Sequence, residues 1–350
     1  MTIPAGGAGT LGSLGETAVL ARIFPRLPDA AAAIIGPGDD AAVLAAPDGR
    51  YVVTTDTMAH GPDFRLAWST PFELGWKAAA TNLSDVAAMG ARPTGLLVAI
   101  VAPADTPVET LEGIADGLRE ACADLAPGCG VVGGDLSVSD TLVIAVTAFG
   151  DLEGRAPVLR SGARPGDIVA VSGPLGLAAQ GIALLFARAV DAEGHPDAAL
   201  VPALRHAHGA ELAAQLTPRP PLADGPAAAI AGATAMLDVS DGLALDARRL
   251  AIASGVAIEL EGIAIGSAGL ALEGDREEVL GDEALRGGED HALLATFPPG
   301  TPLPGGFRPI GHVLAAERPG EPGHELRVDG VAYLARGGWD PYADWDGARG

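Results

Sequence analysis

Thr70-Pro-Phe-Glu-Leu-Gly-Trp-Lys-Ala-Ala-Ala-Thr-Asn-Leu-Ser-Asp-Val-Ala-Ala-Met-Gly90 carries its own start and stop signals. Thr70 can cap a helix, Pro71 suits the first helical position, and Glu73 completes a capping box. Gly90, with Pro93 soon after, closes the helix. Lys77, Thr81 and Asp85 fall four residues apart and so project along one stripe. The neighbours of Asp85 are apolar (Val86, Ala87, Ala88, Met89), a setting in which an unpaired acid is costly. Before the helix, residues 51–55 are β-branched and end at Asp56. After it, residues 94–101 read as a strand. Strand, capped helix, strand makes this part of the chain α/β.

The same alternation continues on both sides. Short strands at 32–35 and 41–44 flank Asp39 and Asp40. Residues 108–125 read as a helix, 141–149 as a strand, and 151–157 as a turn or linker. Beyond it come a strand at 168–171, the loop Gly173-Pro-Leu-Gly176 and a helix from Leu177. Strand, glycine loop, helix can present backbone N–H groups to an anion, although such loops are also ordinary turns. Residues 187–225, rich in Ala, His and Pro, read as helix plus loop. A strand at 233–239 feeds a helix through Ala253, and 291–297 is a further strand. The expected fold is α/β (α+β, two-layer) in two domains, 1–154 and 155–350.

Aspartates recur at the ends of these apolar runs: Gly36-Pro-Gly-Asp-Asp40, Thr54-Thr-Asp-Thr57, Asn82-Leu-Ser-Asp85, Gly133-Gly-Asp135 and Asp238-Val-Ser-Asp-Gly242. Any one of them could be turn chemistry or a helix cap. Presented together from strand ends, they imply a shared polyanionic site, and clustered carboxylates stay ionised only beside cations. Oxygen-only ligands of this kind suit Mg²⁺, which usually bridges to phosphates.

Composition narrows the chemistry. The 350-residue chain has a formal net charge of −23, which argues against nucleic acid or an anionic membrane as partner. Its two cysteines, Cys122 and Cys129, form no disulfide framework or zinc motif, and a reducing cytoplasm is the expected compartment. No basic stretch and apolar run mark a secretory signal, and no apolar run is long enough to span a membrane. Lys77 is the only lysine. No glycine-rich loop precedes it and no Ser or Thr follows it, so a Walker A loop is absent. Metals and arginines must then neutralise any bound nucleotide.

The order of these motifs resembles the thiamine-monophosphate kinase family, within the superfamily shared with aminoimidazole ribonucleotide synthetase and selenophosphate synthetase. The resemblance runs from Leu14-Gly-Glu16 to the tail and includes Arg160-Ser-Gly-Ala-Arg-Pro-Gly-Asp167 and Gly287-Gly-Glu-Asp290. It implies an N-terminal domain that dimerises through its sheet and an active site in the cleft between domains. It implies Mg²⁺-assisted, direct in-line phosphoryl transfer from ATP to thiamine monophosphate, giving thiamine diphosphate. Carried over by motif, Mg²⁺ ligands fall at Asp40, Thr54, Thr55, Asp56, Asp85, Asp135, Asp238 and Asp241, with Asp39 as an outer ligand. ATP contacts fall at Gly134, Asp135, Arg160 and Ser240, and substrate contacts at Asp63, Glu289 and Trp339.

Two positions depart from the family pattern. Asp63 stands where a histidine usually precedes the phenylalanine, here Phe64. Trp339 is followed by Asp-Pro-Tyr rather than His-Phe. The alternatives are a superfamily relative with another acceptor and a non-catalytic nucleotide- or metal-binding module. No cysteine lies before Cys122, unlike the reactive one expected of a selenophosphate synthetase. The Gly173 loop lacks the Gly-x-Gly-x-x-Gly of a nicotinamide oxidoreductase.

Overall fold

A computed structural model of the chain describes residues 9–37, 41–269, 283–316 and 325–338. After two short helices, α1 (Leu11–Leu14) and α2 (Glu16–Ile23), the hairpin β1 (Ala33–Ile35) and β2 (Val43–Leu44) leads to β3 (Val52–Ala59). Helix α3 (Pro71–Ala88) follows, then β4 (Arg92–Ala102), α4 (Val108–Leu125), β5 (Val131–Val138) and β6 (Val143–Asp151). Strands β3, β6, β4 and β5 form a four-stranded sheet in that order. The capping box at Thr70 forms as expected, with Glu73 accepting from the Thr70 N–H at 2.8 Å.

Why α3 and α4 pack so closely is written in two glycines. A side chain at Gly75 would strike the backbone of Ile114, and one at Gly117 would strike Phe72. Both helices cover the face of the sheet carrying Ile144, Val146 and Ala148, and all of these belong to one core. The opposite face, carrying Leu97, Ala99, Ala145, Thr147 and Phe149, lines a cavity of about 990 Å³ beneath α2 and the β1–β2 hairpin.

The second sheet has seven strands: β7 (Ile168–Ser172), β8 (Ala235–Val239), β9 (Val256–Leu260), β10 (Ala292–Phe297), β11 (Arg308–Ala315), β12 (Leu326–Val328) and β13 (Val331–Ala332). Their spatial order is β13-β12-β9-β11-β7-β10-β8, antiparallel except for β12 beside β9. The helices of this half are α5 (Leu177–Arg188), α6 (Val201–Ala207), α7 (Gly209–Leu216), α8 (Asp224–Ala231), α9 (Leu243–Ser254) and α10 (Gly262–Gly269). Leu237, Val239 and Leu294 pack against α9, while Met236, Leu293 and Phe297 share a core with Ala228 of α8 and Ala88 of α3. Residues 236–239 and 292–297 are therefore buried on both faces, which explains their nearly continuous apolar sequence.

Helix α3 thus lies between the two sheets. Fourteen of its 18 residues are buried, and its many alanines let both sheets approach. The 187–225 segment, expected as helix plus loop, forms α6, α7 and the start of α8 and is fastened to α3 and to the turn just before it. Trp68 Nε1 donates to the Ala189 carbonyl and Trp76 Nε1 to the Pro218 carbonyl, each at 2.8 Å. Arg205 grips both oxygens of Glu73. Among the described residues no helix is long and apolar enough to cross a membrane.

Candidate active site

The position of α3 decides which acids meet. Towards the four-stranded sheet, Thr54 Oγ1 donates to Asp85 Oδ2 at 2.9 Å, and the Asp56 N–H donates to Asn82 Oδ1 at 3.0 Å. Towards the seven-stranded sheet, Ser84 Oγ sits 3.0 Å from Asp238 Oδ2, and His291 Nδ1 lies 3.4 Å from both. Ser84, Asp238 and His291 are all buried. The buried Asp238 carboxylate thus has Ser84 and His291 as its partners.

The electrostatics of this centre are unbalanced. Burial, then the charges of Asp238 and Asp56, push the Asp85 carboxyl up to about 7, against the opposing pull of Thr54 and His291. Burial and Asp238 raise Asp56 as well. At His291 burial works against the imidazolium, but Asp238 and Glu289 more than offset it and raise the group overall. Asp56, Asp85 and Asp238 have no Lys or Arg ion-pair partner among the described residues. Such oxygen donors, two of which (Asp56 and Asp85) are disfavoured as anions by burial and by the neighbouring carboxylates, fit a hard divalent cation such as Mg²⁺. The fit is in chemistry and not in a finished cage: among the described residues no three His, Cys, Asp or Glu side chains converge closely enough to hold an ion. Asp39 and Asp40 lie outside the described residues.

Asp241 is engaged differently. Its Oδ2 accepts from Arg249 Nη1 at 2.6 Å, and the same nitrogen holds the buried Asp246 at 2.7 Å. Asp246 in turn accepts the Asp241 N–H at 3.0 Å. Gly242, at φ 116°, lets this loop pass the backbone of Arg286, and Gly288 lies as close to Ser240. The two loops are joined where the Glu289 N–H donates to the Ser240 carbonyl at 2.7 Å.

Other expected members stand apart. Strand alternation turns Thr55 away from Thr54 and Asp56. Its hydroxyl donates to the Val146 carbonyl and accepts from Thr147, which lines the cavity on the open face. Asp135 lines that same cavity. Thr55 and Asp135 are thus on the sheet face opposite Asp85. Gly134 has a packing reason of its own, since a side chain there would strike the Val98 carbonyl. Arg160 is exposed; its carbonyl accepts from Ser254 at 3.0 Å, and its guanidinium makes no hydrogen bond or ion pair among the described residues.

The other end of α3 holds a second group. Lys77 Nζ is 2.6 Å from Glu289 Oε1, and Gln215 Nε2 donates to Glu289 Oε2. Burial would raise Glu289, but Lys77, Gln215 and His291 together hold its carboxyl below the usual range. Asp63 belongs near this group, since the charges of Glu289, Lys77 and Asp56 all act on it. One Asp63 oxygen is occupied in accepting the Ala59 N–H at 2.7 Å. Trp339 lies outside the described residues.

The Gly173 loop does present N–H groups to an anion, and the anion is the protein's own. Asp290 accepts from Gly176 N at 2.6 Å and Ala178 N at 2.9 Å, capping α5. The helix start is therefore filled by a side chain and not open to a ligand. Residues absent from the sequence-based set are Asn82, Ser84, Gln215, Arg249 and His291. Asn82 and Ser84 lie within the motif of Asp85, where helical spacing alone could have assigned them to its two flanks. Gln215 and His291 have no local signal.

The fold and these residues can be set beside known proteins. The model of the AIR synthase related protein N-terminal domain matches residues 38–152. Thiamine-monophosphate kinase of Mycobacterium tuberculosis is 44% identical over 340 residues, 96% of this chain and 94% of its own length. That of Bacillus subtilis is 34% identical, covering 81% of this chain and 83% of its own. The crystal structure of thiamine-monophosphate kinase from Stenotrophomonas maltophilia superposes with a TM-score of 0.70 at 30% identity, over 90% of this chain and 95% of that one. A structure described as "AaThiL complexed with AMPPCP and TMP" superposes at 0.68 with 31% identity, over 85% and 90%. The architecture is that of the AIR synthase related proteins. Within that class, the chain belongs to the thiamine-monophosphate kinase family.

Proposed function

We propose that the protein phosphorylates thiamine monophosphate with ATP, producing thiamine diphosphate and ADP by direct in-line transfer. The observation that carries this reading is the pairing of two unlike groups along α3, within a family whose members act on this acceptor. One is a cluster of under-neutralised acids around Asp85, and the other is a fixed carboxylate at Glu289. Bound Mg²⁺ would neutralise the phosphates of both reactants. Asp56, Asp85 and Asp238 are the described residues best placed to hold it, with Asp241 adjacent once Arg249 yields. Thr54 and Ser84 orient two of these carboxylates by hydrogen bonds. Since a phosphate oxygen is already a nucleophile, no side chain has to act as general base.

The assignments of Thr55, Asp135, Gly134, Arg160 and Ser240 to nucleotide or metal belong to the same proposal. So do those of Asp39 and Asp40, and of Asp63 and Trp339 to the acceptor. Thr55 and Asp135 face the open side of the four-stranded sheet, and we assign that side to a homodimer contact that would complete their surroundings. Its apolar lining and the exposed Val53, which pairs with Phe149 on that face, support such a contact. The domain division near residue 155 and a cytoplasmic location complete the proposal.

The test supplies purified protein with ATP and Mg²⁺ together with thiamine monophosphate, thiamine or no acceptor, and identifies the products. Thiamine diphosphate and ADP should form only with the monophosphate. Equal ADP release without acceptor, or phosphorylation of thiamine alone, would reject the acceptor assignment.

A further inference from the structure

The single lysine of the chain is spent at one place, and its surroundings say what for. Lys77 projects from an alanine-rich turn of α3 and is only 5% exposed. Its partner Glu289 keeps 36% of its side chain exposed. The accessible member of the pair is therefore the carboxylate and not the ammonium. Each carboxylate oxygen has one fixed donor, Lys77 on Oε1 and Gln215 on Oε2. These donors come from two different helices, α3 and α7, while the backbone of Glu289 is tied to Ser240. Glu289 also sits at φ 68°, a left-handed conformation that is unfavourable for a residue with a side chain.

Stability alone does not explain this arrangement. A buried ion pair roughly breaks even against apolar residues of the same shape, and α3 is otherwise built from such residues. A strained backbone presenting a doubly held, partly exposed carboxylate is instead the pattern of a prepared binding group. The acceptor in the proposed reaction carries a permanent positive charge on its thiazolium ring and hydrogen-bond donors on its pyrimidine, both of which favour a fixed anion.

We propose that Lys77, assisted by Gln215, is a positioning residue for acceptor recognition: it acts through Glu289, holding that carboxylate charged and oriented towards the cationic acceptor. This rests on the reading that Glu289 meets the acceptor. Lys77 makes no contact with substrate itself, and the nucleotide end of the cleft is insensitive to it. The lowered carboxyl of Glu289 agrees with this arrangement.

The experiment compares full-length wild type with Lys77→Met, Gln215→Leu, Glu289→Gln and the double variant Lys77→Met/Glu289→Gln. KM is measured separately for thiamine monophosphate and ATP. Lys77→Met should raise the acceptor KM about tenfold or more while the ATP KM stays within about twofold, with a smaller acceptor effect for Gln215→Leu. The double variant should be no worse than Glu289→Gln alone, because a residue acting only through Glu289 has nothing left to position. An unchanged acceptor KM in folded Lys77→Met, equal effects on both substrates, or a double-variant loss equal to the product of the two single losses would each overturn the inference. If Lys77→Met does not fold, the double variant and Gln215→Leu decide, since neither leaves a buried carboxylate without its cation. The kinase reading fails separately, and takes this inference with it, if wild type makes no thiamine diphosphate. The assignment of Glu289 fails if Glu289→Gln leaves the acceptor KM unchanged.

Discussion

The two ends of α3 handle negative charge in opposite ways. Near its C-terminus, Asp85 has a threonine hydroxyl as its partner and feels two more carboxylates, so its ionised form is disfavoured. Near its N-terminus, Glu289 has an ammonium and an amide on its two oxygens and is favoured as an anion. A centre left short of positive charge suits a ligand that arrives with cations, as a magnesium nucleotide does. A centre already compensated suits a ligand that must be recognised by shape and by its own charge. The same helix can serve both because it lies between the two sheets and presents a different flank to each.

Removing an acid should separate the two ends most sharply. Asp85→Asn keeps the shape and the Thr54 contact but removes a negative charge where cation binding is proposed. Turnover should fall by about 100-fold or more. The thermal midpoint of the metal-free protein should hold or rise, because the repulsion from Asp238 and Asp56 is relieved. Near-normal turnover at saturating Mg²⁺ would sink the assignment of Asp85 to the metal centre. The next largest effect should come from Arg205→Met, which leaves the nearly buried Glu73 without its guanidinium. Because Arg205 is itself 34% exposed, a loss of roughly 2 kcal/mol is expected in urea unfolding. Its consequence for activity should fall on the acceptor KM, because α7 brings Gln215 to Glu289. An ATP KM that rises as much would show that the 187–218 segment does not belong to the acceptor end alone.

What the sequence made legible follows from how local each signal is. The capping box at Thr70 and Glu73, the close at Gly90 and the stripe through Lys77 and Asp85 are short-range features, and α3 appears with the expected bounds. Strand β5 gave no strand signal because Gly133 and Gly134 carry no side chain to set a period of two. Its glycine is required by the neighbouring Val98 carbonyl, a contact only the sheet creates. Of the aspartates expected to share one site, Asp56, Asp85 and Asp238 act on one another while Asp135 lies on the other face of the sheet, and nothing local in the sequence tells the two cases apart. Thr54-Thr-Asp56 reads as one ligand run, yet alternation along β3 sends Thr55 to the other side of the sheet. Lys77 and Glu289 are 212 positions apart in the numbering, and nothing local in either predicts their contact. The glycine loop at 173–176 reads equally as an anion cradle or an ordinary turn, because what decides between them, the carboxylate of Asp290, comes from more than 100 positions further along the chain.

That last residue offers the mildest test of the contrast between uncompensated and compensated acids. Asp290 is buried and accepts two N–H groups at the start of α5, yet burial outweighs them and its carboxyl is pushed up to about 6. An unfolded chain would titrate it near its ordinary value of about 3.9. The folded state therefore holds the proton more tightly, and the stabilisation this supplies is complete below about pH 4 and lost as pH rises through about 6. Asp290→Asn cannot titrate and keeps one oxygen to accept from Gly176 or Ala178, while losing the other bond, worth about 1 kcal/mol. Wild type should then lose thermal midpoint relative to this variant between pH 4.5 and 7.5, with most of the change complete by about pH 7. A gap between the two proteins that stays constant across the range would show that the two backbone N–H groups compensate Asp290 fully, placing it with Glu289 instead of Asp85.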